Sequence, residues 1–484
     1  MGLLGILTGL AFLMFLAFRG WTILLLAPGA ALIAAAFSGE PLLAHWTQTF
    51  MSAAAGFVAQ FFPIFLLGAL FGKLMDDSGS VRTIADFMTD KLGPTRAALA
   101  VVLAGALVTY GGVSLFVAFF VLAPMGLALF KAGNVPKRLL PAAIALGTST
   151  FTMSALPGTP AIQNAIPMPF FGTTPFAAPG LGTIAALIMF TFGMWWIGFA
   201  QARARRAGEG FETAAPAVPF AGADELTIRE LASTAREFDP AEIDASDRAK
   251  EGPSILIALL PLIVVVCMNL IVTKLVLPRL DAGFLAEPQW GPTSLSAVGG
   301  IWSVSTALFS AIVVLIALNR GRLPALRDTV DAGANASVLP VLSVASLVGF
   351  GAVVAALPAF AMVRDWVLGI GGGPLVSLAV ATNILAALTG SASGGMTIAL
   401  EALGPTYMQI AQSTGLDPSL LHRVAVISSG TLDSLPHNGA VVTMLAVCGC
   451  SHRESYLDIV MVAVVGAILA LIAVIVLGGM FGSF

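Results

Sequence analysis

Asp433 and His437 are the two ionisable side chains of SSGTLDSLPHNGAVV, Ser428 to Val442, a stretch bounded by aliphatic residues on both sides. Pro436 stands between them. It lacks an N–H and disfavours helix in the residue before it, so simple helical i, i+4 spacing cannot be assumed. On a broken helix inside an apolar segment, a carboxyl and an imidazole could take up and release a proton, since intramembrane ionisable groups mark ion pathways by default. The competing reading is a buried pair that only braces the break.

A second stretch of the same kind, STFTMSALPGTPAI, begins at Ser149, 279 residues before Ser428. At that spacing Ser149, Thr152, Leu156 and Pro157 meet Ser428, Thr431, Leu435 and Pro436, and Thr159 meets Asn438. The same spacing lays YGGVS (Tyr110–Ser114) on TGSAS (Thr389–Ser393), matching Gly111 to Gly390 and Ser114 to Ser393. Two polar clusters at one spacing point to an internal repeat. Asp433 and His437 fall opposite Ser154 and Gly158, which do not titrate, so one ionisable site per chain is expected.

Such breaks are tolerated in a bilayer only where protein or a water-filled cavity receives the freed backbone groups. The half-helices that follow present free N–H groups, worth about half a positive charge each. That is an anion site built without lysine or arginine, and a carboxylate is its natural guest. We expect it to be held by these N–H groups and by the hydroxyls of Ser114, Thr152, Ser393 and Thr431, with Asn438 opposite Thr159. Asn164, just after the first break, either lines the site or packs. Gly111 and Gly394 either admit backbone close to substrate or serve tight helix packing. Glu401 is either a second proton carrier or faces an aqueous vestibule. Lys73, Asp76 and Asp77 close a span and read as interfacial. Apart from His437, no basic residue falls deep in an expected span.

The elements that must position these groups follow from composition. Apolar residues make up 58% of 484, charged residues 10%, and the mean hydropathy is +0.95. A soluble domain carries about 25% charged residues, so a water-soluble protein is excluded. There is no basic patch for nucleic acid. The three cysteines form neither a disulfide framework nor a metal set, and no cofactor is expected. The amino terminus lacks a basic region before its apolar core and reads as a retained first span.

Six apolar blocks, a polar linker and six more blocks divide the chain into a first transmembrane repeat (1–200), a cytoplasmic linker (201–252) and a second, inverted repeat (253–484). The predicted fold is an all-α polytopic membrane protein. Each repeat has five spans plus one re-entrant helical hairpin, the fourth block, with its Gly/Ser-rich middle. In that arrangement 19 of the 23 Lys and Arg residues share one face. The positive-inside rule makes that face cytoplasmic and puts both termini outside. Arg423 is among the four left on the opposite face.

The residues also resemble a known family. GTLDSLPHNGAVVTMLAVCGCSHRESYLDI (Gly430–Ile459), FTMSALPGTPAIQNAIPMPFFGTTPFAAPGLG (Phe151–Gly182) and FGKLMDDSGSVRTIADFM (Phe71–Met88) look like the gluconate permease (GntP-type) family of the ion transporter superfamily. The resemblance runs through both halves and leaves out the linker. It implies proton-coupled uptake of sugar acids and short hydroxy acids across a bacterial inner membrane. The form LPHNGAVVT is nearer to members that take short hydroxy acids such as 3-hydroxybutyrate than to the gluconate branch. Expected partners are a small organic acid anion, H⁺ or Na⁺ and the lipid bilayer. A homodimer is compatible with this reading. Sodium coupling stays open, because Gly/Ser hairpins with free carbonyls hold Na⁺ as readily as they frame a carboxylate. An intramembrane hydrolase is disfavoured: a G-x-S-x-G loop in GSASGG would need serine where Ala392 stands.

Overall fold

The computed structural model describes residues 1–17, 19, 21–211, 252–291, 293–436 and 438–484. Most of the expected linker, and His437, lie outside the described residues. Every regular element among the described residues is helical. In hydrocarbon a helix satisfies its own backbone, and an open strand edge does not.

In the first half, α1 (Gly2–Ala17), α2 (Ile23–Ser38), α3 (Met51–Asp77), α4 (Ser80–Leu92), α5 (Ala97–Tyr110), α6 (Leu115–Ala132) and α7 (Leu140–Thr148) lead to the single turn Phe151–Ser154. Short turns then reach α8 (Pro179–Arg206). The second half holds α9 (Ile255–Ile271), α10 (Leu295–Asn319), α11 (Leu326–Ala336), α12 (Val338–Ala356), α13 (Phe360–Leu368), α14 (Pro374–Thr389) and α15 (Ala392–Thr414). It closes with α16 (Pro418–Ser429), α17 (Gly439–Cys448), α18 (His452–Ile459) and α19 (Gly466–Phe481). Helix α8 runs past the expected start of the linker, and Arg203, Arg205 and Arg206 in its last turn suit the negative end of its dipole.

Seven helical segments among the described residues are long and apolar enough to cross a membrane. An eighth is counted if α4 and the segment Pro94–Tyr110, which meet at 102°, make one broken span. Gly93, at φ +64, turns the chain there and Pro94 cannot continue the preceding helix. Leu256, Leu187 and Phe309 expose 78%, 62% and 59% of their surface. Apolar faces so bare suit lipid and not water.

The halves interlock. Helix α3 packs along α12, α2 also packs on α12, and α10 packs on α3. The 279-residue spacing separates Tyr110 and Thr389, the last residues of α5 and α14.

Helices α5 and α6, and likewise α14 and α15, are joined by tight Gly/Ser turns. Ser114 caps α6 by accepting from the Phe116 N–H (3.3 Å), and Ser391 caps α15 by accepting from the Gly394 N–H (3.2 Å). Serine at an N-cap satisfies one of the orphan donors there. A methyl group on Gly395 would collide with the Ala386 backbone, so the arms of the second pair touch main chain to main chain.

Lys73, Asp76 and Asp77 close α3, as expected, but they do so under protein and not in the open. All three are buried at the end of α3, where Lys73 Nζ lies 3.1 Å from Asp77 Oδ1 and Thr329 donates to Asp77 Oδ2 at 2.8 Å. Helix α11 covers them because Gly333 lets it approach: a Cβ there would lie 3.1 Å from Leu70 Cα. The amphipathic character of α11 was the overlooked signal, with its charged residues confined to one face.

Candidate functional site

The first break begins where the turn Phe151–Ser154 ends. Pro157 and Pro160 bring no N–H, and Gly158 adopts φ +80, where a side chain would also strike the Phe176 ring. The loose backbone is held from outside. Tyr110 donates to the Pro157 carbonyl (2.8 Å), and Asn269 donates to that of Gly158 (2.9 Å). Thr152 is fully buried and its hydroxyl donates to the Thr148 carbonyl (3.0 Å). Thr159, also buried, accepts from the Ala161 N–H (3.3 Å). Asn164 donates to the carbonyls of Thr159 (3.1 Å) and Pro175 (3.0 Å), stitching the loop to the chain that returns toward α8.

The second break, between α16 and α17, is held differently. Asn438 caps α17 through Oδ1, which accepts from the N–H groups of Ala440 (2.7 Å) and Val441 (3.1 Å). Its Nδ2 donates to the Gly390 carbonyl at the tip of the α14–α15 turn (2.7 Å). From α18, Tyr456 donates to the Ser434 carbonyl (3.3 Å) and His452 Nε2 to that of Pro436 (2.8 Å). Thr431 is buried, its hydroxyl donating to the Ile427 carbonyl (2.8 Å). Asp433 is half-buried and accepts from the Ser434 hydroxyl (3.2 Å).

Both turns and both breaks border one cavity of about 720 Å³. Gly112 and Ser114 line it from the first turn, and Thr389 to Ser393 from the second. Ser149 comes from the end of α7, Pro160 and Gln163 from the first break, and Asp433, Ser434 and Asn438 from the second. Among the described lining residues Asp433 is the one acid and Arg19 the one Lys or Arg. The start of α17 also faces the cavity, so the positive end of its dipole points inward. The lining is mostly apolar with a few polar side chains, as small-molecule sites are.

Of the expected site residues, Ser114, Ser393, Asn438 and Asp433 line this cavity. Thr152, Thr159, Asn164 and Thr431 stand behind it; the three hydroxyls and the Asn164 amide N–H groups bond backbone, and the Asn164 oxygen faces His422. At Gly111 and Gly394 a Cβ would collide with Leu262 and Leu347 respectively, so the side chains of neighbouring helices come close at both. Glu401 does not line the cavity.

Two residues escaped sequence reading. His422 and Arg423, in α16, are both fully buried. The expected five-span topology leaves Arg423 among the four cations of the outer face, whereas the structure buries its side chain among carbonyls of the first half. His422 Nε2 meets Asn164 Oδ1 at 3.2 Å, and Nδ1 meets the Thr173 hydroxyl at 2.6 Å. Asn164 Oδ1 can only accept, so Nε2 carries the proton and Nδ1 accepts from Thr173. The adjacent pair His-Arg opening an apolar run was the available signal.

The profile of the GntP family permease matches residues 1–171. Over 491 residues, covering 99% of this chain and 100% of the relative, the chain is 39% identical to the uncharacterized transporter YxjC of Bacillus subtilis. Over 106 residues it is 34% identical to the high-affinity gluconate transporter of Escherichia coli, 21% of this chain and 23% of that protein. The structure of MtrF from Neisseria gonorrhoeae, described as illuminating a class of antimetabolite efflux pumps, superposes with a TM-score of 0.53 at 14% identity. That match covers 91% of this chain and 85% of that one, a likeness of fold alone.

Proposed function

The chain belongs to the GntP family of permeases, a multi-pass protein of the bacterial inner membrane and a transporter, not an enzyme. From that premise we propose that it takes up a small organic acid anion by proton symport, with alternating access around the central cavity. One observation carries this reading: two broken helices and two Ser/Gly turns, from opposite halves of the chain, border a single chamber whose one acid among the described lining residues is Asp433. The recurrence of helix ends at the 279-residue spacing supports a structural repeat. In this proposal the repeats are inverted and the α5–α6 and α14–α15 pairs are re-entrant hairpins that return to their own side. The linker then faces the cytoplasm. A cysteine at Ala207 should be shielded from an impermeant thiol reagent in intact cells, and one at Gln289 should be labelled.

The substrate carboxylate would sit among the Ser114 and Ser393 hydroxyls and the positive end of α17. Thr152, Thr159, Asn164 and Thr431 would hold the breaks in shape. The form LPHNGAVVT favours a short hydroxy acid such as 3-hydroxybutyrate over gluconate. Sodium coupling is the second reading, favoured by the Ser391 and Ser393 oxygens that line the same cavity. Uptake into proteoliposomes under imposed proton or sodium gradients, with a panel of radiolabelled acids, decides between them. Accumulation driven by sodium at constant pH would sink proton symport.

A further inference from the structure

Arg423 is the largest fully buried side chain described in the protein, and it forms no ion pair among the described residues. Its guanidinium is spent on the other half of the chain. Nη2 and Nε donate to the Ala177 carbonyl (2.6 and 3.1 Å), and Nη1 donates to that of Ala155 (3.2 Å). Longer contacts of 3.5 Å reach the Ser154 carbonyl and Asn164 Oδ1. A buried cation without a counter-ion is costly unless its donors are satisfied.

The acceptors explain its place. Ser154 and Ala155 stand where the first half-helix stops, and their carbonyls have lost the partners a continuing helix would supply. A helix end also carries partial negative charge. A planar fork of five donors can bind several such carbonyls at once, which lysine cannot. Room has been left for it: a Cβ on Gly182 would meet the Ala155 carbonyl oxygen and lie 3.2 Å from Arg423 Nε.

The repeat gives the comparison. At the 279-residue spacing Arg423 falls opposite Ile144, so the second break receives no such clamp. That break carries Asp433 into the cavity, whereas Ala155 lies behind the wall. The two breaks are therefore chemically unequal: one is cross-linked from the other half, and the other is left to bear the ionisable group.

We propose that Arg423 is a positioning residue: by clamping the carbonyl end of the first half-helix it fixes the first break against α16 and sets substrate affinity without touching the substrate. This rests on the transport reading for its affinity arm, but its second arm does not depend on transport. That arm uses single cysteines at Gln163 and Ser434, which line the cavity from the first and second breaks. They are placed in a Cys267→Ala background, with Cys448 and Cys450 buried.

In reconstituted protein, Arg423→Lys should raise the half-saturation concentration at least tenfold while the maximal rate stays within about threefold. It should also raise the labelling rate at Gln163→Cys several-fold and leave that at Ser434→Cys unchanged. Gly182→Ala, whose methyl would displace the Ala155 carbonyl that the guanidinium binds while keeping the arginine, should reproduce both effects and serves if the arginine variant does not fold. If labelling changes equally at both breaks, or at neither, the clamp is not local and the proposal falls. If labelling changes at Gln163→Cys alone but no acid is transported by the parent protein, the clamp stands and the transport reading is what has failed.

Discussion

Asn438 joins the second break to the tip of the α14–α15 turn: its amide donates to the Gly390 carbonyl at 2.7 Å while its oxygen caps α17. One side chain thus fixes three backbone groups around the cavity. Asn438→Asp would keep the cap and replace the donor with a second acceptor facing Gly390. An unsatisfied buried group costs about 1–3 kcal/mol. The expected result is a half-saturation concentration raised roughly tenfold or more, read from initial uptake rates in proteoliposomes. Unchanged affinity would show that the tip and the break need no link.

The hydroxyls separate into two groups that a kinetic experiment can tell apart. Ser393 lines the cavity, and its hydroxyl lies 3.3 Å from that of Ser391. Ser393→Ala should weaken substrate binding by about 1.5–3 kcal/mol if the hydroxyl donates to a carboxylate. Thr431, just past the end of α16, instead donates back to the Ile427 carbonyl in the last turn of that helix. Thr431→Val should lower the thermal midpoint in detergent and change affinity less than Ser393→Ala does. A larger affinity loss in Thr431→Val would place the substrate on the other side of the break.

Much of this was legible in the sequence because membrane insertion writes its demands plainly. Helical class, the paired breaks and the Ser/Gly turns all follow from apolar runs interrupted by residues that hydrocarbon would otherwise exclude. What could not be read is which polar atoms turn inward. Thr152 and Ser114 look alike in one dimension, yet Thr152 reaches back to Thr148 and Ser114 faces the cavity. Arg423 was misplaced for a related reason. Positive-inside counting assigns every cation to a surface, and it has no place for a guanidinium bound by carbonyls from the other half of the chain.

The Lys73–Asp77 pair tests burial energetics away from the cavity. Both groups are at least 96% buried and Asp77 also accepts from Thr329. Removing Lys73 takes the neighbouring cation from a buried carboxylate, at a cost of about 3–5 kcal/mol. Lys73→Met alone should therefore lower the thermal midpoint sharply. The double variant Lys73→Met with Asp77→Leu should recover most of that loss, since replacing a buried pair with apolar side chains is often close to neutral. A single variant as stable as the parent would mean that water reaches the end of α3.

Asp433 is the side chain on which the coupling proposal turns. A substrate anion entering beside its ionised carboxylate meets repulsion, and beside the protonated form it does not. Protonation and substrate binding then favour each other, a reciprocity that linkage requires. Removing the titrating group should uncouple transport more than it weakens binding. Asp433→Asn is expected to lose uphill uptake driven by a pH gradient yet to keep exchange of labelled for unlabelled substrate across the membrane. His437→Gln should be assayed in the same two modes, because the imidazole is the other group on this break able to carry the proton. If only the histidine variant loses uphill uptake, the proton belongs to His437 and Asp433 orients it. If both variants still concentrate substrate on a proton gradient, the pair is a brace for the break and the coupling ion must be sought elsewhere.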